Sequence, residues 1–331
     1  MEIVFLGDVY IDRDIKIDSK KLSQFVINLE YVYGEGFENV TKEKVNLKSD
    51  YDLKKVFKEN LPIAACLANN HIMDFGVEGL KTTLYNLDKD NIKYFGAGKA
   101  SDNFNNPLVL DIENKKVALL GYNALNGKQI SDCYGVAEYS SERYREDIKL
   151  CEMNNVDAII VYIHFGVEEY PYYTKRQQEI AYELIDYGAD LVIGQHPHCI
   201  QPMEEYRTKK IFYSIGNAIF PSFCVNAFYN DTGKSTVKYS KRNLGWNNEG
   251  LAITYDLSVN SVKSINKTIL KKNKFIIDKE QYNFKNVKNI KLIFLIRKIL
   301  SIVASSFFIG GYIVNLSFIK NEFRLFIKNR L

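Results

Sequence analysis

Tyr187-Gly188-Ala189-Asp190-Leu191-Val192-Ile193-Gly194-Gln195-His196-Pro197-His198 decides how the chain is read. Just upstream, Thr174 and Gln177 have capping-box spacing, an N-cap oxygen with Gln three residues on. Ile180, Ala181, Leu184 and Ile185 then share one helical face, and Gly188 is a natural C-terminal stop. Residues 191–193 form a short apolar run that reads as a strand buried on both faces. The run breaks off into Gly194-Gln195-His196-Pro197-His198. In layered α/β domains, ligands bind beyond the carboxyl ends of such strands.

The same pattern recurs along the chain. Apolar runs at 3–6, 63–67, 117–120, 158–163 and 211–213 end in Gly7-Asp8, Asn69-Asn70-His71, Gly121-Tyr122-Asn123, His164 and Ser214. Residues 77–88 and 142–153 read as further helices, so strands and helices alternate and the fold class is α/β. A single histidine is more often structural than a ligand. Here all four, His71, His164, His196 and His198, stand at predicted strand ends, which points to one convergent polar site. Imidazole, carboxylate and Asn oxygens suit one or two divalent ions such as Mn, Zn or Fe. Two His flanking a proline can serve neighbouring ions, and a His free of metal can protonate a leaving oxygen.

Composition narrows the classes. The 331 residues carry a net charge of +4, but residues 271–331 hold 13 Lys/Arg against 3 Asp/Glu, leaving 1–270 net acidic. That distribution, with no nucleic-acid motif, argues against a nucleic-acid partner, and the basic, apolar tail fits a membrane surface met through 290–331 or an acidic partner. Residues 299–319 contain no charge and are about long enough to span a bilayer. Ser301, Ser305, Ser306, Asn315 and Ser317 dilute the stretch and Gly310-Gly311 breaks it, which favours an interfacial segment or helices packed on the domain. Five cysteines without CxxC spacing suggest a reducing compartment. The N-terminus enters a strand-like run with no signal-like segment ahead of it, so a cytoplasmic protein, peripheral to the inner face of the membrane, is expected. Gly96-Ala97-Gly98 lacks the third glycine of a dinucleotide fingerprint, and no Ser sits in a nucleophile elbow. The stretch 224–248 reads as a long loop. The main domain is expected to end near 268, with 271–291 as a charged connector.

These residues resemble the CapA family, bacterial capsule and poly-γ-glutamate synthesis proteins with a calcineurin-like metallophosphoesterase fold. The resemblance rests on Gly7-Asp8-Val9, Asn28-Leu29-Glu30, Leu67-Ala68-Asn69-Asn70-His71-Ile72-Met73-Asp74-Phe75-Gly76, His164-Phe165-Gly166-Val167-Glu168, the 187–198 block and Phe212-Tyr213-Ser214-Ile215-Gly216-Asn217. It covers about residues 1–255 and implies a layered α-β-β-α sandwich over 1–268, with 269–331 a basic, apolar extension. It also implies roles: Asp8 and His198 on a first metal, Glu30 bridging, and Asn70, His164 and His196 on a second. His71 would be the acid, oriented by Asp74. The implied activity is metal-dependent hydrolysis of an envelope polymer or its phosphorylated precursor; the alternative is a non-catalytic polymer-binding accessory. Three positions depart from the phosphoesterase pattern. Tyr10 replaces the His of the first motif, which implies one ion held firmly and a second loosely; Ile72 replaces a carboxylate and Gln195 a frequent His.

Overall fold

The computed structural model describes residues 1–17, 22–37, 41, 44–58, 60–125, 130–131, 133–229, 235–284, 288–309 and 312–313. The first sheet is built outward from β1 (Glu2–Val9), followed in parallel by β2 (Phe25–Leu29), β3 (Ala64–Cys66) and β4 (Lys93–Phe95). Between β3 and β4 the chain forms helix α1 (Gly76–Lys89), whose Leu80 and Leu87 join the core.

The second sheet holds β5 (Leu108–Ile112), β6 (Lys115–Asn123), β7 (Ala158–His164), β8 (Leu191–Gln195), β9 (Met203–Tyr206) and β10 (Lys209–Phe212). Its four central strands, in the order β10-β8-β7-β6, are parallel, and antiparallel β9 and β5 close the edges. Helices α2 (Ser141–Met153) and α3 (Lys175–Asp186) make the crossovers. The expected capping box of α3 is present, and Gly188 terminates it at φ +123°.

Side-chain alternation explains the layering. On β7, Ile160 and Tyr162 enter the core between the sheets, whereas Ile159, Val161 and Ile163 pack with Tyr144 and Ile148 of α2 and Ile180 and Leu184 of α3. The Tyr162 ring meets Phe5 and Phe95 edge-on at 5.9 Å, and its hydroxyl donates to the Leu6 carbonyl across the gap. The result is the expected helix–sheet–sheet–helix sandwich. Gly194 lets β8 lie close to the chain leaving β10: a Cβ there would stand 2.0 Å from the Tyr213 carbonyl oxygen.

Beyond β10 come β11 (Asn217–Ile219), parallel to β1, and a hairpin of β12 (Phe223–Tyr229) and β13 (Ser235–Lys241). The hairpin corrects the long loop expected over 224–248. Phe223, Val225 and Ala227 alternate with Cys224 and Asn226, a period-2 pattern obscured by the polar residues around it. Strand β14 (Glu249–Asp256) then extends the first sheet antiparallel to β1, and β15 (Ser261–Lys271) and β16 (Lys274–Gln281) continue it, each antiparallel to the strand before. The boundary expected at 268 falls inside β15, and part of the expected connector is the charged strand β16. Helix α4 (Ile290–Ala304) follows, and residues 305–309 pair with β13. No helix among the described residues is long and apolar enough to cross a membrane; of the stretch 290–331 expected to meet one, residues 310–311 and 314–331 lie outside them.

Candidate metal centre

The polar strand ends meet at one end of the sandwich, across the seam between the sheets. Asp8 on β1 stands opposite Asn28 on β2 and Asn217 on β11. Glu30 follows β2, and Asn69, Asn70 and His71 follow β3. From the second sheet, His164 closes β7 opposite Gln195 of β8, and His196 and His198 follow β8. Both of these histidines have left-handed backbones, φ +93° and +52°, on either side of Pro197. Non-glycine residues in this region are uncommon, and strain of this kind concentrates at functional sites.

All eight residues singled out from the sequence are brought together. Glu30, His164 and His196 place ligand atoms within 4.8 Å of one another, and so do Asp8, Glu30 and His198, so Glu30 belongs to both groups. His164 Nε2 lies 2.8 Å from Asn70 Oδ1 and 3.5 Å from Glu30 Oε1. His198 Nε2 lies 3.6 Å from the same Glu30 oxygen, and its Nδ1 lies 3.3 Å from Asp8 Oδ2 and 2.9 Å from Asn217 Oδ1. A second layer fixes these groups. Asn28 Nδ2 donates to Asp8 at 2.8 Å, and Asn69 Nδ2 donates to Asn28 and to the Leu29 carbonyl. Asn69 Oδ1 accepts from the backbone N–H of His71 and Ile72, which shapes the turn carrying Asn70 and His71.

The donor set fits a cation. Glu30 is fully buried, and neither carboxylate oxygen has a hydrogen-bond partner among the described residues. A buried carboxylate in that state is unfavourable unless a positive charge lies beside it. Burial, then Asp8, raises the Glu30 pKa well above the ordinary range. Burial, with the neighbouring imidazoles, lowers His164 strongly; burial takes His196 to about 4. Both are therefore neutral at pH 7, the form in which imidazole ligates. Burial also opposes charge on His198, but Glu30 and Asp8 outweigh it and raise it to about 10.

His71 sits beside these groups. Its Nδ1 lies 2.7 Å from Asp74 Oδ2, which also accepts from Leu47 N–H, while Lys44 Nζ contacts Asp74 Oδ1 and the Asn70 carbonyl at 2.5 Å. Burial lowers His71, partly opposed by Asp74. A cavity of about 220 Å³ opens here, walled by His71, His198, Glu168, Phe220, Phe223 and Lys241 among others. Burial raises the Glu168 carboxyl, but Lys241 and Lys298 outweigh that and hold it below the usual range. Lys44, Asn217 and Lys241 were not singled out from the sequence. Lys44 lies in a polar loop without pattern, and Lys241 enters through the hairpin read as a loop.

The family described as bacterial capsule synthesis protein, PGA_cap, matches residues 20–222, more than half of the chain. The chain belongs to that family. It is 32% identical over 238 residues to the PGA biosynthesis protein CapA of Bacillus subtilis, covering 65% of this chain and 62% of that one. It is 26% identical over 245 residues to the capsule biosynthesis protein CapA of Bacillus anthracis, covering 66% and 60%. The chain therefore spans about 60% of the length of these curated relatives. Among solved structures it is similar to the 5'-nucleotidase precursor of Thermus thermophilus, at TM-score 0.43 and 12% identity, covering 92% of this chain and 59% of that one. It is also similar to the NAD nucleotidase of Haemophilus influenzae, at TM-score 0.42 and 14% identity, covering 90% and 55%.

The three departures of this PGA_cap chain have visible surroundings. Tyr10 is buried in an aromatic cluster, with ring centroids 5.4–5.7 Å from Tyr31, Phe220 and Phe223. Phe220 carries that cluster to His198, 5.0 Å away. Ile72 is buried in the main core. Gln195 is buried, with neither amide atom hydrogen-bonded among the described residues.

Proposed function

We propose that this PGA_cap protein is a metal-dependent hydrolase of phosphoesterase type, acting on an envelope polymer or a phosphorylated precursor of one. The observation that supports this reading best is Glu30, a buried carboxylate without hydrogen bonds among the described residues, shared by two His-containing donor groups beside a His–Asp pair in a cavity. Asp8, Glu30 and His198 would hold one ion, and Glu30, Asn70, His164 and His196 a second; Mn, Zn or Fe suits these donors. A divalent cation, when bound, polarises a phosphoryl oxygen and makes a nucleophile available near neutral pH.

The chain's own groups supply the rest. Asp74 accepts from His71 Nδ1–H and so leaves Nε2 as the nitrogen that exchanges a proton with a leaving oxygen. Lys44 holds Asp74 and the Asn70 carbonyl together, which ties the orientation of His71 to that of Asn70. Burial favours the neutral form of His71, and an anionic group in the cavity would restore the proton that acid work requires. Lys44 and Lys241 in the cavity wall suit a phosphate or polycarboxylate. The same two cations also favour a second reading, in which a polyanionic chain is held without being cut.

Metal analysis with turnover assays separates the readings. With Mn or Zn, the purified protein is expected to hydrolyse a phosphoester or polymer intermediate. His71→Ala is expected to keep its metal content and lose about 10²–10⁴-fold in rate. Full turnover in that variant would remove the acid role. Capsule production undiminished by Asp8→Ala and His196→Ala would remove the enzyme reading.

A further inference from the structure

Helix α4 is inverted relative to an ordinary surface helix. Its inner face carries Phe294, Arg297 and Ser301. The Ser301 hydroxyl donates to Glu169 Oε1 at 2.8 Å, Arg297 stacks over Trp246 and donates to the Glu169 carbonyl, and Phe294 meets Tyr170 edge-on. The outer face carries Leu292, Leu295, Ile296, Ile299 and Leu300, at the 3–4-residue spacing of one helical stripe, each 36–55% exposed. Polar contacts are turned toward the domain and the large aliphatic side chains away from it. A contiguous apolar face of this kind marks an interaction surface.

Charge identifies what covers it. Residues 281–321 contain no Asp or Glu and six Lys or Arg, of which Lys288 and Lys291 are exposed at the start of the helix. The chain's own last residues, 314–331, are themselves basic and apolar, with four Lys or Arg and one Glu, and so do not complement this face. A second copy would oppose like charges. Fifteen residues rise about 22 Å, short of the ~30 Å hydrocarbon thickness, so the helix suits lying on a bilayer rather than crossing it. We propose that α4 docks this protein onto an anionic phospholipid bilayer, its aliphatic stripe in the interface and its flanking lysines among the headgroups. The docked helix adjoins the candidate site. Glu169, which holds Ser301, also contacts Lys241 of the cavity wall at 3.4 Å.

Flotation of the full chain with phosphatidylcholine vesicles, with and without one-third phosphatidylglycerol, tests this. Binding to the anionic vesicles is expected, falling as salt rises. Leu295→Glu/Ile299→Glu is expected to lower the bound fraction tenfold or more with the far-UV spectrum and melting temperature unchanged. Lys288→Glu/Lys291→Glu is expected to weaken binding and flatten its salt response. The proposal fails if the wild-type chain floats with neither vesicle, or if the Leu295/Ile299 variant binds as well as wild type. It also fails if light scattering shows a dimer that this variant dissolves, which would assign the face to a second copy. A large fall in melting temperature for the variant, without vesicle binding by wild type, would assign it to the chain's own C-terminal residues.

Discussion

Replacing Glu30 by Gln should produce opposite effects with and without metal. Without a cation, the cluster buries the carboxylates of Asp8 and Glu30 around one imidazole, His198, that Glu30 and Asp8 keep charged. Gln is nearly isosteric and neutral. His198 keeps Asp8 as a partner at 3.3 Å, so the substitution removes a carboxyl group whose charged form burial and Asp8 disfavour, without stranding the positive charge. An unsatisfied buried polar group costs about 1–3 kcal/mol, more when charged. With chelator present, Glu30→Gln is therefore expected to be as stable as wild type or up to about 2 kcal/mol more stable. That corresponds to a rise of a few degrees, at roughly 2–4 °C per kcal/mol for large domains. With metal present the order reverses. Wild type gains about 2.7 kcal/mol at a hundredfold excess of metal over Kd, and the variant, without the shared carboxylate, gains little. Thermal melts of both proteins with chelator and with Mn or Zn, paired with elemental analysis, make the crossing visible. A variant that binds and is stabilised by metal as wild type is, or that loses several kcal/mol under chelation, would refute the shared-ligand reasoning.

Three further expectations follow from the same geometry. His198 carries a proton up to about pH 10 in the metal-free protein and must lose it to ligate, so metal uptake at pH 7 should release at least one proton. Apparent affinity should then rise about tenfold per pH unit as pH rises toward that value; calorimetry in buffers of differing ionisation enthalpy would expose an uptake without proton release. Gly194→Ala should destabilise the protein by about 3 kcal/mol or more, because the new Cβ would meet the Tyr213 carbonyl oxygen, and a melting temperature within a degree of wild type would contradict the close approach. Thr174→Ala removes the N-cap oxygen of α3 and should lower stability by about 1 kcal/mol, measured by urea unfolding, with metal content unchanged.

Much of the second sheet could be read directly, because β6, β7 and β8 are buried on both faces and therefore appear as unbroken apolar runs. The histidines could be read for the same reason, since each interrupts or follows such a run. Glu30 was different. It follows an apolar strand but carries no histidine neighbour, and only the resemblance of Asn28-Leu29-Glu30 to a family marked it. Its shared position is a tertiary fact, fixed by the pairing of β1 with β2 and the stacking of one sheet on the other. The C-terminal strands were misread because edge and hairpin strands expose one face. In β16, Lys274, Ile276, Lys279, Glu280 and Gln281 are exposed, so charge concealed a strand whose Phe275 reaches the core. Lys44 and Lys241 reach the cavity from segments with no chemical pattern of their own.

Each donor group takes members from both layers: Asp8 and Glu30 from the first sheet, His164, His196 and His198 from the second. A bound ion would thus rivet two halves that are otherwise held together by apolar packing. Sliding one sheet by a single residue would dismantle both groups at once. Metal retention consequently acts as a gauge of assembly, since a chain with misaligned layers could keep most of its secondary structure and still fail to load.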